Sequence, residues 1–155
     1  MISTRKKLGA LAFAAAALVG TFGSVTTTTL AGATPLITQV RAEAPSVGEL
    51  NTKMGILFNT GASRAARAAE LETGAAGLPV FDTAATLISL APASWRWYVS
   101  GPVTVSGNTA SATLVTATDG YDPWTFPLTW KQIDGTWKLS RESVCTIGNF
   151  VGQGC

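Results

Sequence analysis

Residues 124–139 read WTFPLTWKQIDGTWKL and carry the clearest β-strand pattern of the chain. Every second residue from Trp124 to Trp130 is apolar, and this is the period of a strand with one buried face. The pair Asp134-Gly135 is typical of a two-residue hairpin turn, and apolar alternation resumes after it. The stretch therefore predicts two antiparallel strands joined by a tight turn.

Two more strand patterns precede this hairpin. From Trp95 to Val105 the apolar residues keep one parity, and Gly101-Pro102 interrupts them, which indicates a bulge or a sheet edge. A turn follows, and residues 110–114 alternate again. One face of the resulting four-stranded antiparallel sheet collects tryptophans and aliphatic residues, so we expect one covered and one solvated side.

The residues before the sheet have helical periodicity. Ser46 and Glu49 form a capping-box pattern, and Ser63 is a predicted helix cap rather than a nucleophile. Arg67 and Glu70 are spaced to pair on one helix. The predicted helices span residues 47–58, 64–72 and 79–89. The order of elements predicts an α+β fold, with N-terminal helices packed on a curled four-stranded antiparallel sheet.

The first 33 residues have the pattern of a secretory signal peptide. Arg5, Lys6 and Lys7 precede an apolar run over residues 8–19, which is shorter than the roughly 20 residues that a membrane-spanning helix needs. Small residues at 31–33 predict cleavage after Ala33. A second site at 42–44 is less suitable because Pro45 follows it. We therefore predict a secreted or extracellular protein with no permanent membrane anchor.

The predicted organisation is a signal peptide at 1–33, a flexible tether at 34–45 and a single domain at 46–155. Three of the 11 basic residues lie in the signal peptide, so eight remain against 9 Asp and Glu, a net charge near −1. The basic pI of the full sequence therefore belongs to the segment that is removed. A basic surface for nucleic acid is not expected.

The two cysteines, Cys145 and Cys155, lie near the C-terminus of the predicted mature chain. An even pair in an exported protein predicts a disulfide bond, which would stabilise the domain by roughly 2 to 3 kcal/mol. The alternative, a redox-active pair, usually has closer cysteines at a helix start. We favour the structural bond.

The chain contains no histidine. This excludes Ser-His and Cys-His nucleophile pairs and every histidine metal site. No metal or other cofactor is predicted. The acids that could serve acid–base catalysis are Asp82, Asp119, Asp122 and Glu142, but the sequence places none of them beside a second polar group on the apolar face. We therefore expect a protein that is not an enzyme.

Five tryptophans share the apolar parity of the sheet, and they allow two interpretations. They are Trp95, Trp97, Trp124, Trp130 and Trp137. Packing in the core alone predicts this pattern, and we favour that interpretation. The other interpretation is that some of them line an apolar pocket between sheet and helices. Arg96 and Tyr98 fall on the solvated face.

Two segments resemble a known family. Residues 135–143 read GTWKLSRES and residues 107–114 read GNTASATL, and the helical half opens with PSVGEL at 45–50. This arrangement is similar to the C-terminal domain of the mycobacterial low-molecular-weight secreted antigen family, culture-filtrate proteins of actinobacteria. The resemblance covers most of residues 45–144. It implies a cystatin-like or nuclear-transport-factor-like curled sheet, an antigen without established enzymatic activity, and no catalytic residues to carry over.

The C-terminus departs from the family pattern. The family ends in a helix after the last strand, whereas residues 145–155 are glycine-rich, so we expect a disulfide-closed loop there with Gly148, Gly152 and Gly154 allowing the bend. The favoured function is a non-catalytic secreted or cell-envelope protein that binds a protein partner or a small apolar ligand. The alternatives are a small enzyme with a carboxylate in an apolar pocket and an extracellular inhibitor that acts through loops.

Overall fold

The computed structural model describes residues 43–155, and the predicted signal peptide and residues 34–42 lie outside them. Three helices precede four strands, and a fourth helix follows. A short 3₁₀ helix covers Gly74–Gly77. The elements are α1 Val47–Phe58, α2 Arg64–Ala69, α3 Leu78–Ser89, β1 Arg96–Ser106, β2 Thr109–Ala117, β3 Trp124–Ile133, β4 Thr136–Leu139 and α4 Arg141–Phe150.

Three helices begin at a serine cap. The hydroxyls of Ser46, Ser63 and Ser140 each accept a hydrogen bond from the amide three residues on, at 3.0–3.1 Å. The predictions for α1, α3 and the Ser63 cap are confirmed. Helix α2 ends at Ala69, three residues earlier than predicted, because the chain leaves the helix to pair with the sheet.

The four strands form one antiparallel sheet in the order β1-β2-β3-β4, so the predicted α+β fold is confirmed. The sheet is not closed. The register of β1 on β2 shifts between Ser100 and Thr104, and the intervening Gly101–Pro102 peptide bond is cis. The predicted interruption is thus both a bulge and an edge position, as β1 has a strand neighbour on one side only. The cystatin-like or nuclear-transport-factor-like label stays a prediction.

Both sheet edges are covered by groups from the helical half. At the β4 edge, the Leu139 amide donates to the Glu70 carbonyl (2.8 Å) and the Glu72 amide donates to the Leu139 carbonyl (2.9 Å). At the β1 edge, the Asn51 side chain accepts from the Val99 amide (2.8 Å) and donates to the Val99 carbonyl (3.3 Å). Unpaired edge groups would otherwise be open to other chains.

The core lies between the apolar sheet face and the helices. Its fully buried side chains come from both layers, so the sheet and the helices bury each other. They include Leu50, Met54, Leu57, Leu71, Leu78, Phe81, Leu128, Trp130 and Leu139. The chain is held to this domain from Glu43 on, since the Trp137 indole N–H donates to the Glu43 carbonyl (3.2 Å) and Pro45 is buried.

The expectation of a loop after the last strand is wrong, because α4 occupies Arg141–Phe150. The Ser140 cap starts this helix, and Val144 and Ile147 bury its apolar face. Position 148 requires glycine, because the Gly154 carbonyl lies against it and leaves no room for a Cβ. The predicted disulfide between Cys145 and Cys155 is present, with a Cα–Cα distance of 4.8 Å.

The predicted pair of Arg67 and Glu70 is also wrong. Arg67 is 3 % exposed and pairs with Asp82 of α3 (2.6 Å), and its Nε donates to the Leu57 carbonyl at the end of α1 (3.0 Å). Glu70 instead pairs with Lys53 of α1 at 2.9 Å. The Arg67 pair joins α2 to α3, and the Glu70 pair joins α1 to the residue that follows α2.

Candidate binding site

The floor of the site is one end of the apolar sheet face. Trp97, Thr116 and Trp124 lie side by side on β1, β2 and β3. In the next row inward, Leu114 pairs with Phe126. The strand register therefore brings large apolar side chains from three strands together at the beginning of β1 and β3.

The walls come from the helices on either side of this floor. Ala84, Leu87 and Ile88 of α3 form one wall, and Ile147 and Phe150 of α4 form the other. The wall formed by α4 was not predicted, because the sequence pattern predicts a loop after the last strand. The only sequence signal for it is the helical spacing of Val144, Ile147 and Val151, which follows a serine cap.

Aromatic contacts hold the walls in place. The Phe150 ring meets Trp124 and Phe126 edge to face, with ring centroids 4.9 Å and 4.8 Å apart. On the α1 side, the Phe58 ring contacts Trp97 at 5.1 Å. Such pairs contribute about 0.5–1.5 kcal/mol each beyond their burial. The shape of the pocket is therefore set by contacts within the protein.

Between floor and walls lies a cavity of about 240 Å³, which we call the apolar pocket. Of its 14 lining residues, 13 are apolar, and Thr116 supplies the one polar side chain outside the indoles. Leu87, Trp124 and Phe150 are 48 %, 60 % and 49 % exposed, so the pocket opens to solvent at a rim of large apolar side chains. An apolar cavity of ~150 Å³ already binds benzene, so this space suits a larger apolar group.

A second depression of about 470 Å³ adjoins the apolar pocket and shares Trp95, Thr116 and Trp124 with it. We call it the polar groove, because Thr118, Tyr121 and Asp122 add polar side chains to a lining that is otherwise mostly apolar. A ligand in the apolar pocket can leave its polar end in the groove.

The five tryptophans fall into two groups along the sheet. Trp95, Trp97 and Trp124 line the apolar pocket. Trp130 and Trp137 are 0 % and 5 % exposed and lie in the core at the other end of the sheet. The Trp130 indole N–H has no hydrogen-bond partner among the described residues.

The candidate acids are dispersed rather than assembled. Asp82 pairs with Arg67, Asp119 pairs with Arg96 at 2.8 Å, and Glu142 pairs with Lys131 at 3.2 Å. None of the three lines the apolar pocket. Asp122 alone lies in the polar groove.

The pair of Glu142 and Lys131 is a surface feature of α4 and β3. The helix N-terminal amide of Glu142 itself, and then Lys131, hold the pKa of the Glu142 carboxyl below its usual value. Hydrogen bonds to Glu72 and Glu142 raise the pKa of Lys131 above its usual value. The pair joins α4 to β3 and lies outside the lining of the apolar pocket.

Two further classes of feature bear on the site. Across residues 43–155, no three side chains of Cys, Asp or Glu are grouped as ligands for a metal ion. In the same part of the chain, no helix has the length and apolar character to cross a membrane.

The fold and the pocket define a small α+β domain with an apolar cavity open between its sheet and its helices. Residues 43–155 match the family described as low molecular weight antigen MTB12, C-terminal domain. The chain belongs to this family, so the resemblance is confirmed. No curated protein matches the chain. Membership of an antigen family and a disulfide bond are compatible with a secreted protein.

Proposed function

We propose that this domain is a non-catalytic secreted or cell-envelope protein that binds a small apolar ligand in the apolar pocket. The observation that carries the proposal is the cavity of about 240 Å³ with 13 apolar residues among the 14 that line it. Small-molecule sites are concave and are lined mostly by apolar and aromatic side chains. An open pocket with this lining therefore favours a binding role.

The chemistry of the lining favours binding over catalysis. The apolar pocket has no acid or base in its lining, so no residue of that lining can activate the Thr116 hydroxyl. The alternative function, a small enzyme with a carboxylate in an apolar pocket, has Asp122 as its best candidate. That residue is exposed in the polar groove and is not among the residues that line the apolar pocket.

The size of the pocket suggests a suitable probe. Taking ~30 Å³ for a methylene, about the volume of a water molecule in the liquid, the space accommodates roughly eight methylene groups. Linear alkanols from hexanol to dodecanol are neutral and differ only in apolar length. Each buried methylene contributes about 0.8 kcal/mol, so the dissociation constant should fall about fourfold per carbon.

The test is calorimetric titration of the folded domain with this alkanol series, all below their solubility limits. We expect affinity to rise with length and to level off at about eight to ten carbons, where the pocket is full. Trp124→Ala removes part of the floor and should weaken binding at least tenfold. Leu90→Ala is the matched control, because Leu90 is 78 % exposed and does not line the pocket.

Binding that is independent of chain length, or that Trp124→Ala leaves unchanged, would contradict the proposal. Turnover of substrates in a broad hydrolase and isomerase screen, lost in Asp122→Asn, would establish the enzymatic alternative instead.

A further inference from the structure

We infer that the ligand is a single-chain amphiphile whose polar end is cationic, such as an alkylammonium, rather than a carboxylate or a phosphate. The inference rests on the proposed function and names the chemical class of the ligand. Its starting point is the junction of the apolar pocket with the polar groove, which share Trp95, Thr116 and Trp124. An alkyl chain that fills the pocket leaves its polar end in the groove.

The groove offers this polar end one formal charge, and it is negative. Asp122 lines the groove, and among residues 43–155 it forms no ion pair. Thr116, Thr118 and Tyr121 supply neutral hydroxyls. The polar end of the ligand therefore meets an acceptor carboxylate and no lysine or arginine.

The basic residue that follows Trp95 in the sequence is already paired with an acid. Arg96 begins β1, next to Trp95, and its guanidinium donates to the Asp119 carboxylate at 2.8 Å. An anionic polar end would thus find no unpaired positive charge in the groove and would lie beside Asp122.

The helices contribute the same sign of potential. Helices α3 and α4 reach the pocket with their C-terminal turns, where Ile88 and Phe150 line it. Neither helix has a basic residue in its last turn. The carbonyl end of a helix carries a partial negative charge and favours cations. The charge of Asp122 and the two helix ends together disfavour an anion at the mouth.

The experiment compares four ligands on the folded domain in low-salt buffer: decylammonium, decanol, decanoate and decyl phosphate. They share one chain length and differ in the charge of the polar end. Because the groove is exposed, the pairing is comparable to a surface ion pair, so decylammonium should bind about twofold to fivefold tighter than decanol. The two anions should bind more weakly than decanol. Added salt should reduce these differences.

Two variants assign the preference to one residue. Asp122→Asn should bring the affinity for decylammonium down to that for decanol, and Asp122→Lys should reverse the order so that decanoate binds better than decylammonium. Glu49→Gln removes the same charge at the start of α1, whereas the pocket contacts its end at Phe58, and should leave the order unchanged.

The outcomes separate the inference from the function on which it rests. If decanol binds but decanoate binds as tightly as decylammonium, the inference is wrong and the proposed pocket function stands. If no ten-carbon ligand binds, the proposed function fails as well. Co-sedimentation with phosphatidylcholine vesicles without binding of any single-chain ligand would assign the apolar rim to a membrane surface and overturn the inference.

Discussion

Asn51 is a helix residue that completes the hydrogen bonding of the sheet. Its side chain accepts from the Val99 amide and donates to the Val99 carbonyl at the edge of β1 that has no strand neighbour. Asn51→Ala should leave both buried backbone groups without a partner and lower the free energy of unfolding by about 1–3 kcal/mol in urea denaturation. Thr52→Ala is the control, because its exposed hydroxyl bonds only within α1. Equal stability of the two variants would contradict this role.

The tryptophans show what the residue pattern cannot predict about a single side chain. The alternation of residues placed all five tryptophans on one face of the sheet, and that pattern cannot separate Trp124, which is 60 % exposed, from Trp130, which is fully buried. The two differ in position along β3, and the position of a helix over each decides which is covered. Residue period therefore predicts the face of a strand but not the depth of a side chain.

At the scale of elements, α4 is held by two independent devices. The Ser140 hydroxyl caps the helix and also lies 2.6 Å from the Thr129 hydroxyl of β3, and Ser143 donates to the Thr129 carbonyl. The disulfide joins Cys145, in the middle of α4, to Cys155 beyond the end of the helix. One device is polar and buried at the start of α4, and the other is a covalent link from its middle to the C-terminal residue.

Unfolding experiments should measure the contributions of the Ser140 cap and of the disulfide separately. Replacing both Cys145 and Cys155 by serine should lower the free energy of unfolding by about 2–3 kcal/mol, because the short loop is no longer closed in the unfolded chain. The far-ultraviolet circular dichroism of α4 should remain, since the Ser140 cap persists. Ser140→Ala should cost a further ~1–2 kcal/mol in the same background. Loss of helical signal in the double serine variant would show that the disulfide, not the cap, maintains α4.

Element prediction from the sequence succeeded where local signals agreed. The caps at Ser46 and Ser63, the helical spacing of α1 and the Asp134-Gly135 turn each predicted their element. Helix α4 was missed because Gly148, Gly152 and Gly154 favour a loop locally. Its stability comes from contacts with β3 and α3 that are distant in the sequence. The wall that α4 gives the pocket was therefore not predictable from local pattern.

The whole molecule is divided along its sheet into a packed end and an open end. Leu128, Trp130 and Leu139 fill the space under the helices at the packed end. At the open end, the strands carry equally large side chains, but α3 and α4 stand apart and the space between them stays unfilled. Unfilled apolar space lowers stability, so a cavity kept for binding predicts that stability and affinity oppose each other.

Ala84 provides the test of that opposition, because it is 5 % exposed on α3 and lines the apolar pocket. Ala84→Leu should fill part of the cavity and raise the free energy of unfolding by about 0.5–2 kcal/mol. Leu adds three carbons, so the alkanol length at which affinity levels off should shorten by about three carbons. Leu128→Ala at the packed end should instead cost about 2–5 kcal/mol and leave the preferred length unchanged.

Alkanol titration and urea denaturation of Ala84→Leu and Leu128→Ala show whether stability and affinity oppose each other. If Ala84→Leu weakened every alkanol equally and also destabilised the domain, Ala84 would be an ordinary packing position and the void beside it a defect of the core. Ile88→Phe is a second variant that fills the pocket, from the next turn of α3. It tests the same expectation if the larger side chain does not fit at position 84. If Ala84→Leu or Ile88→Phe prefers shorter alkanols and keeps or gains stability, the preferred length is set by the volume of the pocket.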